Sequence, residues 1–180
     1  MTANQDWGSA RPQGLTKLAI SALEWGIVRG ALKRPLYRFI HRKWGALDIE
    51  FQGLKFRCYI DGNGPERFII LHKRRPLSPS LRLLLSILKP GDVFVDVGAN
   101  FGLFSILAAS KVGSTGRVIA IEPHPELYRR LCFNARINAF EQIAAFRTAV
   151  GEIVGEAVLH IARDSDLAKS SLSHSSNGQK

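Results

Sequence analysis

VFVDVGANFG, residues 93–102, is the stretch that decides the fold of this chain. Its first five residues are almost all apolar, which predicts a short buried strand, and its two glycines mark a tight turn leading into an apolar helix. A second strand, RVIAIE at residues 117–122, follows and ends on a carboxylate. The order strand, glycine turn, helix, strand and acid is typical of the first half of a nucleotide-type cofactor site.

Two βαβ steps are predicted around this stretch. The first runs from strand 93–97 through helix 101–111 to strand 117–122, and the second continues through helix 125–138 to strand 143–149. Continuous apolar strands indicate a parallel sheet with helices on both faces. Right-handed crossovers then place the second strand between the other two. The fold class is therefore α/β and Rossmann-like.

One edge of this sheet is a problem for a stable protein. Strand 93–97 is apolar and would lie at the edge, although long apolar edges are normally covered because they promote aggregation. The preceding β segments, a partner chain or a missing part of the domain could each cover it. We expect the sheet to be incomplete on its C-terminal side.

The rest of the sequence divides into segments of different character. Residues 1–14 are polar with glycine and proline, which predicts a disordered lead-in. Residues 15–46 predict a basic amphipathic helical arm, and residues 47–75 predict a β meander. The cofactor-binding half-domain is expected over 76–162. A serine-rich end without periodicity predicts a disordered polar tail over 163–180.

Local patterns refine these segments. Three β-prone runs make up the meander, at Leu47–Phe51, Leu54–Ile60 and Arg67–Leu71, and glycine-rich turns separate them. A helix with a serine cap is predicted over 81–88. Residues 156–161 are a candidate for a further strand.

Positive charge is concentrated in the helical arm. The chain of 180 residues has a net charge of +10, yet residues 91–113 around the turn contain only three charged side chains. The arm, with a helix break expected at Pro35, could rest on an anionic membrane or an acidic partner. It could also be a helical cap whose apolar face packs on its own domain, which is the more common arrangement and the one we expect.

Cysteine content and hydropathy bound the cellular context. Cys58 and Cys132 lie in unrelated segments with no second ligand nearby, which excludes a disulfide framework or a metal-binding spacing. No uninterrupted apolar run is long enough to span a bilayer, and no basic region opens a signal peptide. These features predict a cytoplasmic protein without a bound metal.

The spacing of the turn selects the ligand class. A dinucleotide fingerprint requires G-x-G-x-x-G, but the second glycine is absent here, and Asp96 at the strand end would repel a pyrophosphate. A cationic ligand is therefore favoured. Glu122, at the tip of the neighbouring strand, could accept hydrogen bonds from both hydroxyls of a ribose. The structural alternatives are a turn or cap role for Asp96 and a helix-cap role for Glu122.

At these residues the sequence resembles a known enzyme family. DVGANFG at residues 96–102 resembles motif I of class I S-adenosylmethionine-dependent methyltransferases. The longer run GDVFVDVGAN at 91–100, with EPHPEL at 122–127, resembles the FkbM methyltransferase family in particular. The likeness continues at Asn134, Asn138 and AVG at 149–151, and it spans roughly residues 80–175.

This resemblance implies a cofactor and a set of residues that bind it. The cofactor would be S-adenosyl-L-methionine, and its binding residues would be Asp96, Gly98, Asn100, Gly102, Glu122, His124 and Ala149. Asp96 and Gly98 would lie along the methionine end and Glu122 would hold the ribose. His124 would lie near the adenine, with Thr148 and Ala149 closing that side at the next strand tip.

The resemblance also implies an activity, the methylation of a hydroxyl on a sugar, a glycan or another small acceptor. No catalytic residue is identified, because His72, His124 and His160 are isolated in the sequence. The family continues with strands that shape the acceptor pocket, and nothing like them follows here, so the chain looks truncated. Two alternatives stay open: an RNA methyltransferase, although nucleic acid is not the expected partner, and a non-catalytic fragment that binds the cofactor, a second copy or another partner.

Overall fold

The computed structural model describes residues 6–60, 64–72, 77–152, 154–161 and 171–174. The helices are α1 Gly14–Glu24, α2 Lys33–Trp44, α3 Gly64–His72, α4 Pro79–Ile87, α5 Leu103–Val112 and α6 Pro125–Ile137, with a 3₁₀ turn at Gly30–Leu32. The strands are β1 Ala46–Phe51, β2 Leu54–Tyr59, β3 Val93–Val97, β4 Arg117–Ile121, β5 Ile143–Phe146, β6 Ala157–His160 and β7 Ser171–His174.

The predicted parallel sheet is present with the expected strand order. Its three strands pair as β3-β4-β5, with β4 in the centre. Helix α5 begins at Leu103 rather than at residue 101, because Asn100 and Gly102 have φ values of 56° and 95° that no α-helix allows. Strand β5 ends at Phe146 rather than at residue 149, because its neighbour β4 already ends at Ile121 and offers no further partner.

Helices cover one face of this sheet in the described part of the chain, not both. The covered face lies against α5 and α6, and its side chains are buried or partly buried. It carries Phe94, Asp96, Val118, Ala120, Ile143 and Ala145. The opposite face carries Val93, Val95, Val97, Ile119, Ile121 and Phe146. The three valines and Phe146 are at least half exposed. The expected α/β, Rossmann-like fold class is confirmed by this parallel sheet, and in the described part of the chain the helices pack on the first of these two faces.

The third run of the predicted meander is a helix. β1 and β2 form the expected antiparallel hairpin, but residues 67–71 belong to α3. A short apolar run is compatible with a buried strand or a buried helix, and its alternation does not separate the two. Here Glu66, Ile69 and Ile70 are buried on one helical face, and Glu66 forms an ion pair with α6.

The N-terminal arm is helical as predicted, with a break at a different place. α1 ends at Glu24 and α2 begins at Lys33, so the chain leaves the helix around residues 25–29. Pro35 lies within the first turn of α2, where the missing N–H has no helical partner to lose. Ile20, Leu23 and Ile40 are buried in the main core, so the apolar face of the arm packs on its own domain.

Asparagines on α6 join the hairpin to the sheet domain. The buried Asn134 side chain accepts from the Arg57 amide at 2.9 Å and donates to the Phe101 carbonyl at 3.0 Å. One turn later, the Asn138 side chain makes two hydrogen bonds to the backbone of Lys55, at 2.9 and 2.7 Å. Two asparagines one turn apart on α6 therefore hold the β1–β2 hairpin through its backbone.

Two buried ion pairs reinforce this junction. Arg130 on α6 donates to both oxygens of Glu66 on α3 and lies 3.8 Å from the ring centre of Tyr59. Arg57 on β2 pairs with Asp48 on β1 at 2.7 Å. Breaking one partner of such a pair leaves an uncompensated buried charge, so these contacts fix the packing of the N-terminal half.

Parts of the two terminal segments that were expected to be disordered have defined contacts. Asp48 also accepts hydrogen bonds from the amides of Gly8 and Ala10, at 2.6 and 3.0 Å, so residues of the expected lead-in contact the hairpin. The predicted strand at 156–161 is present as β6. It pairs antiparallel with β7, a strand inside the segment expected to be a polar tail. The remainder of that tail lies outside the described residues.

Candidate functional site

The glycine turn wraps around the end of strand β4. The amides of Gly98 and Ala99 both donate to the Ile121 carbonyl at 2.9 Å, which ties the turn to the neighbouring strand. Asn100 adopts a left-handed conformation, and its side-chain oxygen accepts from the Phe101 amide at 2.8 Å. Asparagine tolerates this backbone region better than most residues, so the sequence suits the turn.

The two glycines of the turn serve different purposes. Gly98 has a φ of 77°, and a Cβ added there would meet no atom within 4 Å, so the backbone faces open space. Gly102 has a φ of 95°, and a Cβ there would lie 2.6 Å from Leu131 Cδ1. Gly98 can therefore admit a ligand close to the backbone, whereas Gly102 permits the packing of α5 against α6.

Glu122 connects the two loops at the strand ends. One carboxylate oxygen accepts from the Asn100 amide at 2.7 Å, and the other accepts from the His124 amide at 2.8 Å. The residue is only 6% exposed. Each oxygen retains a further acceptor position, since a carboxylate offers about four. Glu122 thus holds the turn in place and still has the capacity to accept hydroxyl donors.

Asp96 is a partly buried carboxylate facing helix α5. The Ser105 hydroxyl donates to it at 2.5 Å. Burial raises the pKa of Asp96, the negative charge of Glu122 raises it further, and the Ser105 hydrogen bonds lower it. Among the residues that the structure describes, no Lys or Arg forms an ion pair with it. A cationic ligand beside Asp96 would compensate this charge.

His124 is the N-cap of helix α6. Its Nδ1 accepts from the amides of Glu126 and Leu127, at 3.2 and 3.5 Å. An accepting Nδ1 places the proton of the neutral ring on Nε2, and within the described chain this buried atom has no hydrogen-bond partner. The cap role that was an alternative for Glu122 belongs to His124, and Nε2–H is a spare donor.

The structure brings most of the predicted residues together. Backbone and side-chain hydrogen bonds link Asn100, Glu122 and His124, and the charges of Asp96 and Glu122 interact. Ala149 is different. It lies three residues past the end of β5 rather than at a strand tip. Its carbonyl accepts a local hydrogen bond from the Thr148 hydroxyl at 3.5 Å.

Sequence reasoning missed the residues that support this site from behind. Ser105 was not singled out, although it is the hydrogen-bond donor to Asp96. A hydroxyl on the first turns of the helix after the glycine turn is the signal that could have identified it. Asn134 was noticed only as part of a resemblance, whereas its contact with the Phe101 carbonyl fixes the end of the turn.

This arrangement can bind a cationic, hydroxyl-bearing ligand. It offers a backbone open at Gly98, an uncompensated carboxylate at Asp96, and acceptor capacity at Glu122. No cluster of three or more His, Cys, Asp or Glu that could hold a metal ion occurs in the described segments. The same segments contain no helix with the length and apolar character needed to traverse a bilayer.

A family model matches the second part of the chain. Residues 96–180 match the methyltransferase FkbM domain, which confirms the resemblance drawn from the glycine turn. A search of curated proteins finds no match.

Solved structures with similarity to the chain include several methyltransferases. TYW2 from Pyrococcus horikoshii, in complex with MeSAdo, is 21% identical over 62% of this chain and 39% of its own, with a TM-score of 0.45. The M. jannaschii tRNA m1G37 methyltransferase is 20% identical over 61% of this chain and 32% of its own, with a TM-score of 0.44. A SAM-dependent O-methyltransferase from Thermotoga maritima is 23% identical over 63% and 44%, with a TM-score of 0.38. The chain spans about two fifths of the length of the structures it matches.

Proposed function

We propose that this chain, whose residues 96–180 match the methyltransferase FkbM domain, binds S-adenosylmethionine at the glycine turn and serves methyl transfer to a hydroxyl group. The observation that carries the proposal is the pair of carboxylates at adjacent strand ends. Asp96 is partly buried and has no paired Lys or Arg among the described residues, and Glu122 lies beside a backbone that is open at Gly98.

The residues fit the parts of this cofactor. S-adenosylmethionine carries a positively charged sulfonium and amino group, a ribose with two hydroxyls, and an adenine. Asp96 would face the cationic methionine end, and Glu122 would accept from the ribose hydroxyls. The Nε2–H of His124 would donate to the adenine side of the ligand. When bound, the cofactor supplies an electrophilic methyl group.

The contribution of the protein to such a reaction is mainly positioning. Glu122 fixes the turn through two backbone amides, so the open backbone at Gly98 is held ready for the ligand. Preorganised alignment of two reactants can supply several kcal/mol of the barrier, on the order of 7 or more in favourable cases. The described residues suggest no general base, and the acceptor hydroxyl would have to release its proton to another group or to water as the methyl group is transferred.

For the acceptor we propose a hydroxyl on a sugar or another small molecule. The basis is the FkbM domain match together with the distribution of charge, because the segment 91–113 around the turn holds only Asp92, Asp96 and Lys111. A polyanionic acceptor would be expected to meet more cations here. Two free cysteines, Cys58 and Cys132, are consistent with a cytoplasmic location, which stays a proposal.

Calorimetric titration of S-adenosylmethionine into the full chain tests the cofactor site. Asp96→Asn and Glu122→Gln should each weaken binding about tenfold to a hundredfold, since a hydrogen bond to a charged group contributes roughly 1.5–3 kcal/mol. Glu122→Gln is preferable to Glu122→Ala, because glutamine leaves one of the two backbone amides without an acceptor whereas alanine would leave both.

The matched control is Glu126→Gln. The substitution is of the same kind and lies on the neighbouring helix α6, but the Glu126 carboxylate pairs with Arg129 and Arg130 and not with the turn. Its cofactor affinity should equal that of the wild type. Thermal unfolding of each variant without ligand separates a lost fold from a lost ligand contact. Equal affinity of the wild type and a folded Glu122→Gln variant would remove Glu122 from the site.

A further inference from the structure

The helical arm presents apolar side chains to solvent on the side away from the core. Leu15 and Leu18 of α1 are largely exposed, while Ile20 and Leu23 of the same helix are buried. A helix that is apolar on more than one side normally has more than one packing partner. The core contacts of α1 are made by its buried side, at Ile20 and Leu23.

The connection between α1 and α2 extends this apolar surface. Ile27 is 75% exposed and Leu32 is 69% exposed, and Trp25 is also mostly exposed. Single exposed apolar residues are ordinary in soluble proteins. Here several large ones fall within one short connection and the helix before it, which makes them a candidate contact surface.

The segment that follows α1 contains cations and no carboxylate, although α1 itself ends on Glu24. Between residues 25 and 47 the sequence has six Lys or Arg residues and no Asp or Glu. On α2, Arg38, Arg42 and Lys43 line an open groove of about 650 Å³ together with Pro35 and Phe39. These positions follow the i, i+3, i+4, i+7, i+8 pattern of one helical face. The structure gives these three cations no carboxylate partner among the residues it describes.

The mixture of side chains selects the partner. A tryptophan, large aliphatic residues and cations on one short helical segment are typical of helices that lie in the interface of an anionic membrane. Single-stranded nucleic acid would also attract the cations, but it is bound through aromatic stacking and offers nothing to exposed isoleucine and leucine. An acidic groove on a partner protein would bind the cations of α2 but would leave the exposed apolar side chains of α1 and of the connection without a partner.

We propose that the segment from α1 to α2 within the helical arm is a membrane-docking surface that places Ile27 and Leu32 in the interface of an anionic bilayer and Arg38, Arg42 and Lys43 against its phosphate groups. Each cation near such a surface contributes about 1 kcal/mol, and each buried aliphatic group adds to it. The contact is peripheral, since no described helix is long and apolar enough to cross the bilayer. The active chain would then work at a membrane surface.

Flotation of the full chain with lipid vesicles tests this surface. The chain should float with vesicles of phosphatidylcholine mixed with phosphatidylglycerol, float much less with phosphatidylcholine alone, and be released by salt. The triple variant Arg38→Ala, Arg42→Ala, Lys43→Ala should lower the partition coefficient on the order of a hundredfold. The double variant Ile27→Ser, Leu32→Ser should lower it by roughly tenfold or more.

The matched control removes the same charge elsewhere. Arg82, Lys89 and Lys111 are exposed cations outside the arm, and the triple alanine variant at these positions has the same net charge as the arm triple. It should float like the wild type. Equal losses in the two triple variants would mean that net charge alone drives binding, and the proposal would fail.

Other outcomes also overturn it. Equal flotation with neutral and anionic vesicles, or no flotation of the wild type, contradicts the proposal without any variant and so does not depend on how the variants fold. Binding of single-stranded RNA without binding of anionic vesicles would assign the arm to nucleic acid instead. The readout does not involve the cofactor, so this proposal and the cofactor site can fail independently.

Discussion

Replacement of Gly102 by alanine should destabilise the fold through two separate effects. A φ of 95° lies in the left-handed region, where a residue with a Cβ costs roughly 1–2 kcal/mol. The new Cβ would also lie 2.6 Å from Leu131 Cδ1 and 3.5 Å from Leu131 Cα, in a fully buried contact. Overpacking of this kind costs about 1–3 kcal/mol. The expected loss is therefore about 2–5 kcal/mol of unfolding free energy.

Gly98→Ala isolates the backbone effect. Gly98 has a similar φ of 77°, but its Cβ would meet no atom within 4 Å, so only the conformational cost of roughly 1–2 kcal/mol applies. Urea unfolding followed by far-ultraviolet circular dichroism measures both variants against the wild type. Gly98→Ala should also weaken binding of S-adenosylmethionine, since it fills the space beside the open backbone.

A double-mutant cycle with Leu131→Ala identifies the packing contact. In the Leu131→Ala background, Gly102→Ala should lose its steric cost and retain only its backbone cost, which gives a coupling free energy of about 1–3 kcal/mol. A coupling close to zero, or equal losses for Gly98→Ala and Gly102→Ala, would refute the assignment of Gly102 to helix packing.

Three further outcomes follow from burial and charge. Asp96→Asn should be more stable than the wild type at neutral pH, because burial raises the pKa of Asp96 in the folded state and its ionised form therefore opposes folding. The difference in unfolding free energy should disappear as the pH falls below about 4, where the carboxyl is protonated in both states. Urea unfolding at both pH values measures it. Glu66→Gln should cost up to about 3 kcal/mol, because Arg130 loses its buried carboxylate and keeps only the more exposed Glu126, while Arg129→Ala, which breaks an exposed pair, should cost under about 1 kcal/mol in the same assay. Val93→Thr with Val95→Thr should reduce the fluorescence of a bound hydrophobic dye with little change in unfolding free energy, and an unchanged signal would mean that this sheet face is covered.

The sheet was predictable because its information is local and strongly periodic. Apolar runs define β3, β4 and β5, glycine and proline bound the first two of them, and helical connections between parallel strands are almost always right-handed. Helix boundaries were less predictable. The start of α5 depended on the left-handed conformation of Gly102, which glycine permits but does not require.

The carboxylates of the site were predictable for a similar reason. Asp96 is the penultimate residue of β3 and Glu122 directly follows β4, and the ends of adjacent parallel strands must lie side by side. What each carboxylate contacts was not predictable. Glu122 accepts from the amides of Asn100 and His124, and the helix cap expected as its alternative role is made by His124 instead.

The sequence by itself determined the strand order, the glycine turn and the positions of the two acids, because periodicity and turn chemistry act over a few neighbouring residues. Only the tertiary structure decided that residues 67–71 form a helix, since Glu66 needs Arg130, which lies 64 positions away, to be buried. Only the tertiary structure distinguished the roles of the two glycines of the turn. A Cβ on Gly102 would meet Leu131 on another helix, whereas a Cβ on Gly98 would meet no atom within 4 Å. Contacts between residues distant in the chain carry no local pattern, and packing assigns their roles.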